Sequence, residues 1–159
     1  MSSKPPIAYI DIRVSQHATE NPEKVQTAVK NLLTEDLAET LIFQKATLEG
    51  HYGNPITLFT ARLTDKKHLP QALKKIAEHL SSIDKEELDR EINLHIEKCN
   101  LYLRLDKQSA LLGNAKFTQT DPIHIKVHFK DKTVEEIIEF CRNTGLLPWI
   151  VAFAISTYE

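Results

Sequence analysis

At 159 residues the chain is the size of one ordinary domain, and with 42% apolar and 26% charged side chains it can bury a core and is not a disordered tail. Twenty basic against 22 acidic side chains leave a net charge of −2, which excludes a globally basic wrapper of nucleic acid. Two cysteines, Cys99 and Cys141, do not make a disulfide scaffold and suit a reducing compartment. The first residues, Met1-Ser2-Ser3-Lys4-Pro5-Pro6, carry no apolar signal segment. The apolar run Leu146 to Ile155 contains Pro148 and falls well short of the roughly 20 residues that span a bilayer. The expectation is a cytoplasmic protein with no membrane partner: one domain over residues 1–159, with a flexible 1–6 and an apolar extension at 146–159.

The first apolar stretch, Ile7 to Ser15, alternates with period two. Ala8, Ile10, Ile12 and Val14 fall on one face of a strand, and Tyr9, Asp11, Arg13 and Ser15 on the other. Asn21-Pro22-Glu23 then reads as a helix start, with an amide cap, proline at the first position and an acid against the dipole. Val25, Ala28, Val29 and Leu32 supply its buried stripe. Leu41 to Leu48 and Ile56 to Leu63 read as strands, and the turn chemistry of Glu49 to Pro55 joins them as a hairpin. A helix is expected from about Pro70, with Leu73, Ile76, Ala77 and Leu80 inward. Another follows from about Asp84, whose spacing to Glu87 is that of a capping box, with Leu88, Ile92 and Ile96 inward.

Asn100 to Asp106 alternates again, with Leu101, Leu103 and Leu105 inside and Tyr102 and Arg104 outside. Asp106 can cap a short helix, Lys107 to Leu112, which stops at Gly113. Ile123 to Lys130 sets Ile123, Ile125, Val127 and Phe129 against His124, Lys126, His128 and Lys130. Thr133 and Glu136 form a capping box for a last helix with Val134, Ile137, Ile138 and Cys141 inward, stopped by Gly145. Strands with one apolar and one polar face need a single covering layer. The expected fold is therefore a two-layer α+β domain, with a mixed or mainly antiparallel sheet of about five strands and helices on one face.

Charge is unevenly placed along the chain. Residues 98–132 carry seven basic and three acidic side chains, net +4, whereas 1–97 and 133–159 are each net −3. The excess lies on the last two strands, whose polar faces present Tyr102, Arg104, His124, Lys126, His128 and Lys130. Tyr9 and Arg13 of the first strand can join them. Cations interleaved with flat rings suit RNA, because phosphates need Lys and Arg and splayed bases need a stacking platform. The same pattern arises on any solvated strand face. On the RNA reading, Arg104, Lys107, Lys126 and Lys130 take phosphates, Tyr102 and Tyr52 stack bases, and His128 stands beside them; Gln108, His17 and His51 join the set only as residues of the family motifs given below.

Other chemistries find less support. His95 and Cys99 are four apart but straddle a helix-to-strand junction, and no CxxC or HExxH accompanies them. His124 and His128 share a strand face at roughly 13 Å, too far for one ion. No metal, cofactor or catalytic residue is expected: GxSxG and phosphate-cradling glycine loops are absent from the sequence. His17, His51 and Tyr52 lie in two polar loops whose turns do not require them; turn chemistry and a binding role both stand for the three, and a further alternative is a hydrolase using His17 or His51.

These segments also carry a family resemblance. Ile10-Asp11-Ile12-Arg13, His17-Ala18-Thr19-Glu20 followed by Glu23-Lys24-Val25, Glu49-Gly50-His51-Tyr52-Gly53-Asn54-Pro55, and Leu101-Tyr102-Leu103-Arg104-Leu105-Asp106-Lys107-Gln108 before Gly113 occur in the order of an archaeal family. The chain resembles, over residues 7–147, the small RNA-binding-domain proteins regarded as predicted exosome subunits. The resemblance implies a fold similar to the large-subunit ribosomal protein that binds 5S rRNA. It further implies a non-catalytic RNA-binding accessory role in RNA processing or decay, with RNA and exosome proteins as partners. The alternative within that setting is a protein-interaction module without RNA affinity. The apolar C-terminal segment departs from the family pattern, and three readings stand for it: a docked strand, a short helix, or a self-association patch that would make a homodimer.

Overall fold

The computed structural model describes residues 6–50 and 53–149. Its elements are strand β1 (Ile7–His17), helices α1 (Pro22–Asn31) and α2 (Glu35–Thr40), and strands β2 (Gln44–Glu49) and β3 (Pro55–Leu63). Helices α3 (Leu69–His79), α4 (Ser82–Arg90) and α5 (Ile92–His95) follow, then strands β4 (Ile96–Glu97) and β5 (Asn100–Leu105). Helix α6 (Lys107–Leu111), strand β6 (Ile123–Phe129) and helix α7 (Val134–Thr144) complete the series.

The strands form one six-stranded sheet in the order β2-β3-β1-β6-β5-β4, and every neighbouring pair is antiparallel. Alternation builds it: Ile123, Ile125, Val127 and Phe129 of β6 are buried, as are Leu101, Leu103 and Leu105 of β5. Phe59, Ala61 and Leu63 of β3 join them on the same face. The stripes of α1 (Val25, Ala28, Val29) and α3 (Leu69, Leu73, Ile76) cover that face, and Phe140 of α7 meets Phe129 edge-on at 5.3 Å. Fully burying each such aliphatic side chain stabilises the fold by about 1.5–3 kcal/mol. Cys141 lies in this core, where burial pushes its thiol up to about 12.

Several local expectations change. Ile7, not Ala8, is the first core residue of β1, because the register with β6 slips between Ile7 and Tyr9 and Ala8 is the extra residue of a bulge. Ser81, not Asp84, caps α4: its hydroxyl accepts the Asp84 N–H. Ile96 is buried from β4 rather than from a helix, since Lys98 and Cys99 both take left-handed conformations and turn the chain back tightly into β5. Val134 is exposed at the first turn of α7. Asp106 caps α6 through the Ser109 N–H, and Thr133 and Glu136 close the expected capping box. Past α7, Gly145 turns left-handed (φ +89°), and Leu146 and Leu147 drop into the core with their N–H groups on the Cys141 carbonyl. The rest of the apolar segment, from residue 150, lies outside the described residues, as does the dimer surface expected there. Among the described residues no helix is long and apolar enough to cross a membrane.

Candidate nucleic-acid interface

The face of the sheet opposite the helices stays open, and the antiparallel register sets its side chains in rows. One row runs Thr60 (β3), Arg13 (β1), His124 (β6), Arg104 (β5). The next runs Arg62, Asp11, Lys126, Tyr102 across the same strands. Together they line an open trough of about 950 Å³, flanked by Ile42 and Gln44 where the chain enters β2. Four cations, Arg13, Arg62, Arg104 and Lys126, face a single carboxylate, Asp11, among the trough's lining residues. Strand order explains the convergence: β1, β6 and β5 are adjacent although far apart in sequence.

Asp11 is already engaged. The Arg62 guanidinium grips it through Nε at 2.7 Å and Nη2 at 2.9 Å, and that hydrogen bonding raises the Arg62 pKa. Arg62 also lies 4.0 Å over the Tyr9 ring, and His128 stacks against Tyr9 from the neighbouring strand at 4.8 Å and 22°. Asn100 Oδ1 meets His128 Nδ1 at 2.7 Å. The result is a file of planar groups standing side by side on the sheet and tied at both ends. Tyr102, by contrast, is 38% exposed, and among the described residues no ring or cation stacks on it. His124, between Arg13 and Arg104, has its pKa lowered, first by burial and then by those two charges, with Asp121 acting weakly the other way. Its imidazole is therefore neutral at neutral pH, a hydrogen-bonding group in a cationic row.

The structure thus brings together Tyr102, Arg104, Lys126 and, alongside, His128, with Arg13 and His124. It sets the remaining candidates elsewhere. Lys130 stands exposed past the end of β6, its N–H on the Pro6 carbonyl. Lys107 is bound internally, its ammonium donating to the Ser15 carbonyl, to Glu20 at 3.1 Å and to Asp121 at 2.8 Å. His17 pairs with the same Asp121 oxygen at 3.0 Å. Gln108 lines a separate shallow surface with Thr19, Lys24 and Leu111. His51 and Tyr52 lie outside the described residues, so a His17–His51 pairing does too. His17, Glu20 and Asp121 hold ligand-type atoms within 4.8 Å of one another, but the Lys107 ammonium already stands among them as their counter-charge. His95 and Cys99 are separately engaged, His95 Nδ1 with the Tyr102 carbonyl and Cys99 with the Lys132 carbonyl.

Sequence reasoning missed Arg62, Thr60, Gln44 and Ile42. The signal for two of them was present, since Leu58, Thr60 and Arg62 alternate with Phe59, Ala61 and Leu63. Ile42 and Gln44 lie in the strand expected over Leu41 to Leu48, whose lack of strict alternation does not say which side chains share a face, and β2 itself begins only at Gln44.

Comparison with known proteins follows the same line. A family model described as RNA binding matches residues 9–129. The chain is 32% identical over 124 residues to RNA-binding protein PAB1135 of Pyrococcus abyssi, covering 76% of this chain and 80% of that one. It is 30% identical over 134 residues to the uncharacterized protein MJ0213 of Methanocaldococcus jannaschii, covering 77% and 89%. Among solved structures it is similar to Mth689, a DUF54 protein from Methanothermobacter thermautotrophicus, with a TM-score of 0.72 and 29% identity over 87% of this chain and 98% of that one. The match takes in both rows of the trough and most of the sheet behind them, and the chain belongs to this archaeal RNA-binding family.

Proposed function

We propose that the chain is a non-catalytic RNA-binding protein that holds RNA on the open face of its sheet, acting in the cytoplasm as an accessory of an exosome or another RNA-processing assembly. The observation that carries this reading is the trough: Arg13, Arg104 and Lys126 converge from three strands beside the uncovered ring of Tyr102. Cations there meet phosphates, and Tyr102 offers a face for one unstacked base. Family membership supports RNA as the ligand.

Fluorescence anisotropy with a labelled single-stranded RNA, titrated over a range of salt, tests the site. Arg13→Gln with Arg104→Gln should weaken binding and shallow the log K against log salt slope by about 0.7 for each lost phosphate contact. An unchanged affinity and slope would remove the trough as the interface. Co-purification from a native extract, repeated after nuclease digestion, tests the assembly: an exosome partner retained after digestion is held by protein contacts.

A further inference from the structure

The two edges of the sheet differ. At one end β4 has two residues, a short edge of the kind that discourages further pairing. At the other, β2 has six, all exposed, and its register with β3 runs without a bulge from Gln44↔Thr60 to Glu49↔Pro55. Among the described residues nothing pairs with its outer side.

The phase of that outer side follows from one bond. The Gly50 N–H donates to the Asn54 carbonyl at 2.7 Å, so the rungs at every second residue, Leu48↔Ile56, Ala46↔Leu58 and Gln44↔Thr60, exchange hydrogen bonds with β3. Pro55, which has no N–H, stands opposite Glu49 in an intervening rung, as it must. Lys45, Thr47 and Glu49 therefore aim their N–H and C=O groups at open solvent. Their side chains stand on the helix side of the sheet, where Lys45 Nζ lies 5.7 Å from the Phe59 ring centre. Ala46 and Leu48 point to the trough side.

A second copy of β2 laid antiparallel, with its two-fold axis at Thr47, fits this edge. Lys45 then faces the other copy's Glu49, Thr47 faces Thr47, and Glu49 faces Lys45, so all three outward residues exchange hydrogen bonds. Opposite charges and paired threonines are favourable cross-strand partners. In the same register Ala46 meets Leu48 on the trough side and covers a leucine that is 50% exposed in one copy. Sliding by one step of the two-fold register keeps the hydrogen-bonding parity but engages two outward residues of β2 instead of three. It also sets a charge against Thr47.

We propose that the chain self-associates through β2 into a two-fold dimer with one continuous sheet, six strands from each copy. The axis is normal to the sheet, so both troughs open on the same side. Their central β1 strands lie about 24 Å apart, five spacings of roughly 4.8 Å. The inference does not depend on what the troughs bind.

Sedimentation equilibrium of the full chain, from micromolar to millimolar concentration, tests it. The expected result is reversible association to the mass of two chains. Lys45→Glu, which sets glutamate against glutamate, should weaken the dimer roughly tenfold. Lys45→Glu combined with Glu49→Lys should restore it. Thr47→Pro should abolish dimerisation and leave the monomer folded by circular dichroism, because its N–H serves no bond within one copy. Should that variant unfold, the charge swap still decides. A wild-type chain that stays at one mass overturns the proposal. So does a dimer indifferent to Lys45→Glu, or a double variant that remains monomeric.

Discussion

Lys107 stands 2.8 Å from Asp121, fourteen residues on, and with its side chain only 12% exposed it is a structural cation. One ammonium ties the end of β1 (the Ser15 carbonyl), the β1–α1 loop (Glu20), the start of α6 and the loop before β6 (Asp121). Lys107→Met leaves two carboxylates and a carbonyl facing one another without it. The carboxylates are 31% and 39% exposed, which lets water take up part of the loss. The expected destabilisation is about 1–3 kcal/mol, read as a lower urea midpoint at unchanged slope. RNA affinity should stay within about twofold, since the lysine has no free hydrogen bond for a phosphate. A loss of affinity with full stability would reverse that assignment.

Two tyrosines on the open face should answer differently to alanine. Tyr9 is held between Arg62 at 4.0 Å and His128 at 4.8 Å, so Tyr9→Ala breaks an internal stack and should lower stability by about 1–3 kcal/mol. Tyr102 is uncovered, and Tyr102→Ala should cost little stability but weaken single-stranded RNA by about 1–3 kcal/mol, the usual value of one stacked base. Thermal denaturation and anisotropy on both variants separate the roles. Equal losses of affinity would mean that the Tyr9 stack opens to receive a base.

The contrast shows where sequence stops informing. Strict alternation in β5 and β6 placed Tyr102, Arg104 and Lys126 on one face, because a side-chain period of two is a local property. That Arg13 joins them depends on β1 lying beside β6, which is set by long-range pairing. The bulge at Ala8 is invisible to periodicity, since it changes which residue is skipped and leaves the composition alone. Helix α2 went unseen because its six residues bury only Leu37. Lys107 looked like a phosphate ligand because its partners, Glu20 and Asp121, are 87 and 14 residues away. Whether a surface lysine is free is decided by such distant neighbours, not by its own segment.

His124 should make the proposed interface responsive to acid. Its pKa lies below the ordinary histidine value because burial, then Arg13 on β1 and Arg104 on β5, oppose a further charge. As pH falls below about 6.5 the unfolded chain takes up this proton before the folded one does, so stability is present above that value and is lost towards the folded pKa. RNA held as proposed would reverse the local field: phosphates on Arg13 and Arg104 would cancel the two charges that, after burial, depress the imidazole, and its pKa should rise on binding. By linkage, affinity should then increase as pH drops through the same window. His124→Gln should flatten both profiles. The direct measurement is an NMR titration of the His124 ring with and without RNA. An upward shift on binding is expected, and an unchanged or lower value would place the phosphates away from this row.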